Sequence, residues 1–355
     1  MDKKMEAELL SCLKGFTFRW RSLGARDGEL LDLNKKISSV EDWIREYNDI
    51  ATAYEKAADA ITDRVVKTSN YLSAAVYFHS SQLGLTSDTD RKKEIFYASV
   101  RAYFKAAQNF TVPLERVEFP YDGKTLSAYF RKKPGIKNRP TVVLIRGADA
   151  SRVAEDHIIT EYLLHNGFSV FNIDMPGQYE ARFNGLALIP DTEKPVGAAI
   201  DYLEKRPEVD PERIVVFGSC VGGFMAPRAC ALEKRAKACV SIGGFYSLAE
   251  FEYPLLATLN VQNDMQVTPA EYPQRRKEFT LKGFIEKMTC PLLVINGAED
   301  TVMPNSQAVK IYEQARCPKE LKIYQGLNHN AWHQNREALN YAAGWLWDKL
   351  GGKPA

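Results

Sequence analysis

The sequence predicts an α/β fold: a mostly parallel sheet covered by helices, preceded by an all-helical domain. Two observations carry this reading. Residues 1–112 read as helix after helix, with no strand signal among them. From residue 113 to residue 355, uninterrupted apolar strands alternate with helical patterns, as in a parallel sheet buried on both faces. The length of 355 residues suits one domain of about 240 residues with an appendage, or two domains. A hydrophobic content of 45% with 11% aromatics is enough for a full core.

In the first half, Ser38-Ser39-Val40-Glu41 offers a capping box. Trp43, Ile44, Tyr47, Ile50, Ala51 and Tyr54 then follow at helical spacing. A second amphipathic segment spans 67–85, with Gly84 at its end and Ser87 as the next cap. A third spans 96–110. After residue 113, 115–133 reads as a hairpin turning at Asp122-Gly123. Strands follow at 141–147, 168–174, 213–218, 237–244, 291–297 and 320–326, separated by helical stretches. The irregular stretch 248–285 is expected to hold extra helices over the site.

The net charge of +2 and the absence of a long basic run speak against nucleic acid and anionic membranes as partners. Six scattered cysteines without a C-x-x-C pair speak against a zinc site or a disulfide framework, and fit a reducing cytoplasm. The N-terminus has no apolar core of a signal peptide, and no stretch approaches the roughly 20 residues of a membrane span. No Gly-x-Gly-x-x-Gly follows the first central strand, so no cofactor is expected, and no metal.

In such a sheet, ligands bind beyond the carboxyl ends of the strands. Three reactive residues fall there. Cys220 follows RIVVFG, Asp300 follows PLLVINGAE and His329 follows ELKIYQGLN. Nucleophile, acid, histidine is the chain order of the α/β-hydrolase fold. Gly218 and Gly222 flank Cys220, as a sharp strand-to-helix turn requires. That turn sets Cys220 at a helix N-terminus, which favours a thiolate. His329 would take the thiol proton, with Asp300 orienting the ring. The backbone N–H groups of Val221 and Ala148 would hold the oxyanion. His79, His157 and His165 fall on helices away from the strand ends, and His333 reads as the start of the last helix.

The segments IRGADAS, NIDMPGQYEA, VFGSCVGG, SIGGF, NGAEDTVMP and GLNHNAW resemble one branch of the α/β-hydrolases. It includes 2,6-dihydroxypseudooxynicotine hydrolase, fungal hydrolases that shorten polyketides, and the fermentation-respiration switch proteins. The resemblance covers nearly the whole chain. It implies that residues 1–112 form a helical cap that lids the site of a catalytic domain at 113–355 and helps to form a homodimer. It also implies hydrolysis, in several members of a carbon–carbon bond in a 1,3-dicarbonyl substrate. Three departures stand out. Cys220 replaces the usual serine, Arg146-Gly147 followed by Ala148-Asp149 replaces Gly-Gly, and Tyr179 follows Pro176-Gly177-Gln178 where glycine is usual. Arg146 and Asp149 either contact a polar substrate or pair with each other. Tyr179, Phe245, Tyr246 and Glu250 are expected near the pocket.

Sulfur leaves two catalytic readings open. The first is hydrolysis of an ester, thioester or activated C–C bond of a small apolar or aromatic metabolite, as in specialised metabolism, through a thioester intermediate. The second is acyl transfer from Cys220 to an amine, hydroxyl or carbon acceptor, with the acyl group delivered on a carrier thioester, because thioesters react readily with such nucleophiles. A non-catalytic ligand-binding protein on the same fold is the third reading.

Overall fold

A computed structural model describes residues 2–15, 17–136 and 138–352; residues 1, 16, 137 and 353–355 lie outside it. Helices α1 (Lys3–Gly15), α2 (Thr17–Ser22), α3 (Asp27–Lys36), α4 (Val40–Ala60), α5 (Arg64–Gln82) and α6 (Asp90–Ala107) come first. The expected helices are present, but their caps differ. Ser39, not Ser38, caps α4 in a reciprocal box with Asp42, because the aspartate can reach back to the Ser39 amide (3.1 Å). Thr89, not Ser87, caps α6 by accepting from Lys92 N. α4 buries Trp43, Ile44, Tyr47 and Ala51. The Trp43 indole stacks on Tyr47 with ring centres 4.1 Å apart and donates to Ser80 O.

The hairpin β1 (Leu114–Tyr121) and β2 (Lys124–Arg131) turns at Asp122 and Gly123. Their φ values of 48° and 70° are those a two-residue turn of this hand requires. There follow β3 (Arg139–Ile145), α7 (Glu155–His165), β4 (Ser169–Ile173), α8 (Tyr179–Phe183), α9 (Glu193–Leu203), β5 (Val209–Ser219) and α10 (Val221–Leu232). The chain ends with β6 (Cys239–Ile242), α11 (Leu255–Met265), α12 (Tyr272–Arg275), β7 (Leu292–Gly297), α13 (Asn305–Gln314), β8 (Lys319–Tyr324) and α14 (Glu337–Lys349).

The strands form one sheet in the order β1-β2-β4-β3-β5-β6-β7-β8. β2 pairs antiparallel with β1 and with β4, and every other pairing is parallel. This is the expected α/β-hydrolase sheet. β4 and β7 are buried at every position, which explains their unbroken apolar runs. One apolar cluster joins Trp20, Trp43, Tyr47 and Phe96 of the N-terminal helices to Val142, Val215 and Leu293 of the sheet and to α7 and α14. The other fills the opposite face under α9, α10 and α13. The strand order reverses between β3 and β5, and a crevice opens beyond their carboxyl ends.

Among the described residues, no helix is long and apolar enough to cross a membrane. Nor does any group of three or more His, Cys, Asp or Glu side chains among them form a metal site.

Candidate active site

Cys220 stands alone between the end of β5 and the start of α10. Its φ of 60° and ψ of −123° are strained for a residue with a side chain, at roughly 1–3 kcal/mol. Two hydrogen bonds hold it there: Cys220 N donates to Ile242 O and Gly223 N to Cys220 O, both at 2.8 Å. The flanking glycines are steric requirements. A Cβ on Gly218 would lie 1.9 Å from Gly222 O, and one on Gly222 would lie 2.2 Å from Ile145 O.

The loop after β3 passes beside the cysteine. A Cβ on Gly147 would lie 2.9 Å from Cys220 Sγ. Ala148, next along this loop, and Val221, first residue of α10, both line the same cavity as Cys220. Gln178 braces the loop from below: its Nε2 donates to Arg146 O at 2.9 Å and to Gly147 O at 3.4 Å. Its Oε1 accepts from Met175 N, which fixes the amide orientation. Because a peptide is planar and trans, a donor on Gly147 O turns the Ala148 N–H the opposite way.

Asp300 follows β7. Its Oδ1 accepts from Val302 N (2.8 Å) and Met303 N (2.7 Å), and its Oδ2 pairs with His329 Nδ1 at 2.8 Å. That contact fixes the ring, leaving His329 Nε2 buried and without a hydrogen-bond partner. Burial opposes charge on His329, but Asp300 and then Cys220 outweigh it, and the imidazole is raised from 6.5 to about 10. Two glycines admit the histidine loop: a Cβ on Gly297 would lie 2.2 Å from Leu327 O, and one on Gly243 would lie 3.2 Å from the His329 ring. Cys220, Asp300 and His329 thus lie after the ends of β5, β7 and β8 on the same side of the sheet, with Cys220 and His329 lining one cavity.

Cys220 and His329 line one cavity. Its walls are mainly apolar, with Ile159, Leu256, Val261 and Val302 among them. α11 supplies part of the cover, as expected for the stretch 248–285. The rest comes from α2. Arg19 of α2 donates to Asp149 Oδ2 (2.7 Å) and to Glu155 Oε1 (2.6 Å). Ser22 Oγ donates to Arg19 O (2.6 Å) and lies 2.8 Å from His333 Nδ1. The hydroxyl has one proton, so Nδ1 carries the hydrogen of that second contact. α2 is therefore fastened to both active-site loops.

Several expectations are corrected here. Arg146 and Asp149 do not pair with each other: Arg146 pairs with Asp174 under the Tyr179 ring, and Asp149 pairs with Arg19. Of the six expected substrate contacts, Asp149 lines the cavity, while Arg146, Tyr179, Phe245, Tyr246 and Glu250 do not. Tyr179 stacks flat on Phe96 with ring centres 4.5 Å apart, filling with aromatic packing the place of the usual glycine. Gln307 of α13 accepts from Tyr246 N and Ser247 N, pinning that segment away from the cavity. Phe245 consequently stacks on Phe224, and exposed Glu250 pairs with Lys310 at 2.6 Å. His333 lies before α14, not at its start, and lines the cavity with its ring stacked on Trp332. His157 is buried under the helical region, against Tyr103 and Phe110. Arg19, Glu155, Asp156 and His333 line the cavity unforeseen.

A family model described as Esterase FrsA-like matches residues 26–351. The chain is similar to the alpha/beta hydrolase psoB of Aspergillus fumigatus, 32% identical over 252 residues, which are 64% of this chain and 56% of that protein. It is similar to the 2,6-dihydropseudooxynicotine hydrolase of Paenarthrobacter nicotinovorans, 27% identical over 291 residues, 79% of this chain and 74% of that one. The match thus spans little more than half the length of the first relative and about three-quarters of the second. The crystal structure of a 2,6-dihydroxy-pseudo-oxynicotine hydrolase superposes with a TM-score of 0.81 at 25% identity, covering 95% of this chain and 97% of that one.

Proposed function

Since the chain belongs to the FrsA-like esterase family of α/β-hydrolases, we propose that it hydrolyses an ester, thioester or activated C–C bond of a small, apolar or aromatic metabolite, with Cys220 as its nucleophile. The observation that carries this reading is the position of Cys220 in a strained turn, in one cavity with a histidine fixed by a buried carboxylate. Cys220 Sγ attacks the acyl carbon. The Val221 and Ala148 amides hold the oxyanion, within the roughly 10²–10³-fold that one such donor contributes. His329 gives its proton to the leaving group and, once neutral, takes one from the water that cleaves the thioester. Asp300 keeps the ring in register and supports its charge. The apolar walls favour an apolar acyl group. The N-terminal helices serve as a cap, since Phe18 and Arg19 of α2 stand in the cavity wall. Relatives named for hydrolysis of 2,6-dihydropseudooxynicotine and 20-hydroxy-prefusarin support a small metabolite as substrate.

Sulfur itself favours the second reading, acyl transfer from Cys220 to an amine, hydroxyl or carbon acceptor, because water competes poorly with these for a thioester. One experiment separates the two. Wild type and Cys220→Ala are exposed to acyl thioesters, aryl esters and 1,3-diketones, and the intact protein is weighed. An adduct is expected on the wild type alone. Its decay in water is expected for a hydrolase; persistence until an amine or alcohol is added would make the enzyme an acyltransferase. An adduct on both proteins would overturn the nucleophile assignment.

A further inference from the structure

His333 lines the cavity together with His329 but takes no part in the chemistry proposed at Cys220. It lies half-buried in the loop between β8 and α14. Trp332 stacks on its ring with centres 3.9 Å apart, and Phe18 meets it edge-on at 6.1 Å. The Ser22 hydroxyl gives its one proton to Arg19 O, so His333 Nδ1 carries the hydrogen of the 2.8 Å contact with Ser22 Oγ. A neutral ring then has a bare lone pair on Nε2. Burial keeps the ring neutral by holding it well below its ordinary 6.5, and the positive charges of Arg19, His329 and Arg336 act the same way. Among the described residues no hydrogen bond reaches Nε2, and it is not sealed off as His329 Nε2 is. Arg19, Asp149 and Glu155, in the same wall, are spent on one another. The mainly apolar wall therefore offers a free acceptor nitrogen framed by aromatic rings. The three cations disfavour an ammonium group beside it, and an anionic oxygen has no proton to share. Its complement is a neutral hydroxyl.

We propose that His333 is a specificity-determining residue whose Nε2 accepts a hydrogen bond from a hydroxyl of the substrate, so that the cavity prefers an aryl compound with a free hydroxyl to its methyl ether. The proposal rests on the cavity at Cys220 being the substrate site, and it is indifferent to which bond is cleaved there. The hydroxyl keeps its proton, because an imidazole held below 6.5 does not deprotonate a phenol of pKa about 10. A methyl ether is disfavoured because it brings an acceptor against an acceptor and leaves Nε2 without a donor. The preference is set from outside the catalytic domain: Ser22 of α2 fixes the tautomer, and the tautomer decides that the nitrogen left to the cavity accepts.

Two substitutions separate the two ring nitrogens. In His333→Asn the amide nitrogen takes the place of Nδ1 and keeps the bond to Ser22, but nothing reaches the place of Nε2. In His333→Gln the longer amide puts its oxygen near the place of Nε2 and gives up the bond to Ser22. Binding of 2-naphthol and of 2-methoxynaphthalene is measured by calorimetry on wild type and both variants, and needs no reaction at Cys220. The preference for naphthol, as a ratio of Kd values, is expected to fall about tenfold in His333→Asn and to stay within about threefold of wild type in His333→Gln. Nitrogen-15 spectra of histidine-labelled wild type read the contact directly: the His333 Nε2 signal, assigned by its absence from the variants, should be that of an unprotonated nitrogen. It should move toward the protonated position with naphthol and not with the ether. An unchanged ratio in His333→Asn, or a fall confined to His333→Gln, would show that only the link to Ser22 matters and would overturn the proposal. So would a protonated Nε2, or a wild type that binds neither compound. If a variant fails to fold, the wild-type spectra alone decide. Failure of every aryl ester and thioester to acylate Cys220 would remove the nucleophile reading and leave the naphthol result standing; acylation without a naphthol preference would do the reverse.

Discussion

Arg19 donates to both the carboxylate (2.7 Å) and the main-chain carbonyl (3.1 Å) of Asp149, a residue 130 positions further along the chain. The same guanidinium reaches Glu155. The short helix α2 therefore anchors the loop that carries Ala148, with Asp149 held on the side facing the N-terminal helices. Arg19→Met removes the charge but keeps much of the bulk, leaving two carboxylates without their cation. Loss of one partner of a buried ion pair costs about 3–5 kcal/mol. Denaturant unfolding is expected to show a loss of that order, together with a lower kcat as the loop loosens. A stability change below about 1 kcal/mol would show that the clamp is not needed.

Gln178 allows a cleaner test of the oxyanion loop, because it touches only main-chain atoms of 146, 147 and 175. In Gln178→Leu the Gly147–Ala148 peptide loses the donor that turns it. We expect kcat to fall by about 10- to 100-fold with KM little changed, somewhat less than removal of an oxyanion donor itself. A rise in KM at constant kcat would place the residue in substrate binding instead.

The strand–helix alternation, and the positions of Cys220, Asp300 and His329, were legible because they rest on local patterns. Apolar runs announce β3, β5 and β7, and glycines announce the tight approaches around Cys220. Arg19 was not legible: its partners lie 130 and 136 positions away, and no local pattern points to them. Asp156 and His333 were missed for a related reason. Each reads as an ordinary polar residue of a helix or a loop, and only packing turns it into the cavity. Phe245, Tyr246 and Glu250 failed the other way. They follow a strand end, where site residues gather, but Gln307 pins that segment to α13.

The glycines at the turn make a steric prediction. A Cβ on Gly222 would lie 2.2 Å from Ile145 O and 2.8 Å from Arg146 O, both main-chain atoms that cannot swing aside. Gly222→Ala must therefore push α10 away from β3. A stability loss of about 1–3 kcal/mol, with near-complete loss of acylation at Cys220, is expected. Gly344→Ala, where a Cβ would meet nothing within 4 Å, is the control and should be neutral or slightly stabilising. Equal behaviour of the two variants would contradict the steric argument.

Sulfur and oxygen at position 220 should respond oppositely to pH. Burial disfavours the charged imidazole, but Asp300 and Cys220 raise it to about 10. In the proposed mechanism sulfur attacks beside a charged His329, and the imidazolium also supplies the leaving group's proton. Acylation should then hold across neutral pH and decline as pH passes about 10, where His329 loses that proton. The stability this contact contributes follows the same sign: it is fully present below the unfolded value near 6.5 and is lost as pH rises through the folded one. In Cys220→Ser the hydroxyl does not ionise, so His329 must act as a neutral base, and the sulfur's contribution to holding its proton is gone. Acylation of the serine variant should be slower and should rise with pH until His329 has deprotonated. Single-turnover acylation by an aryl ester between pH 6 and 10.5 measures both limbs. Parallel profiles for the two proteins would mean that Cys220 does not react beside a charged His329.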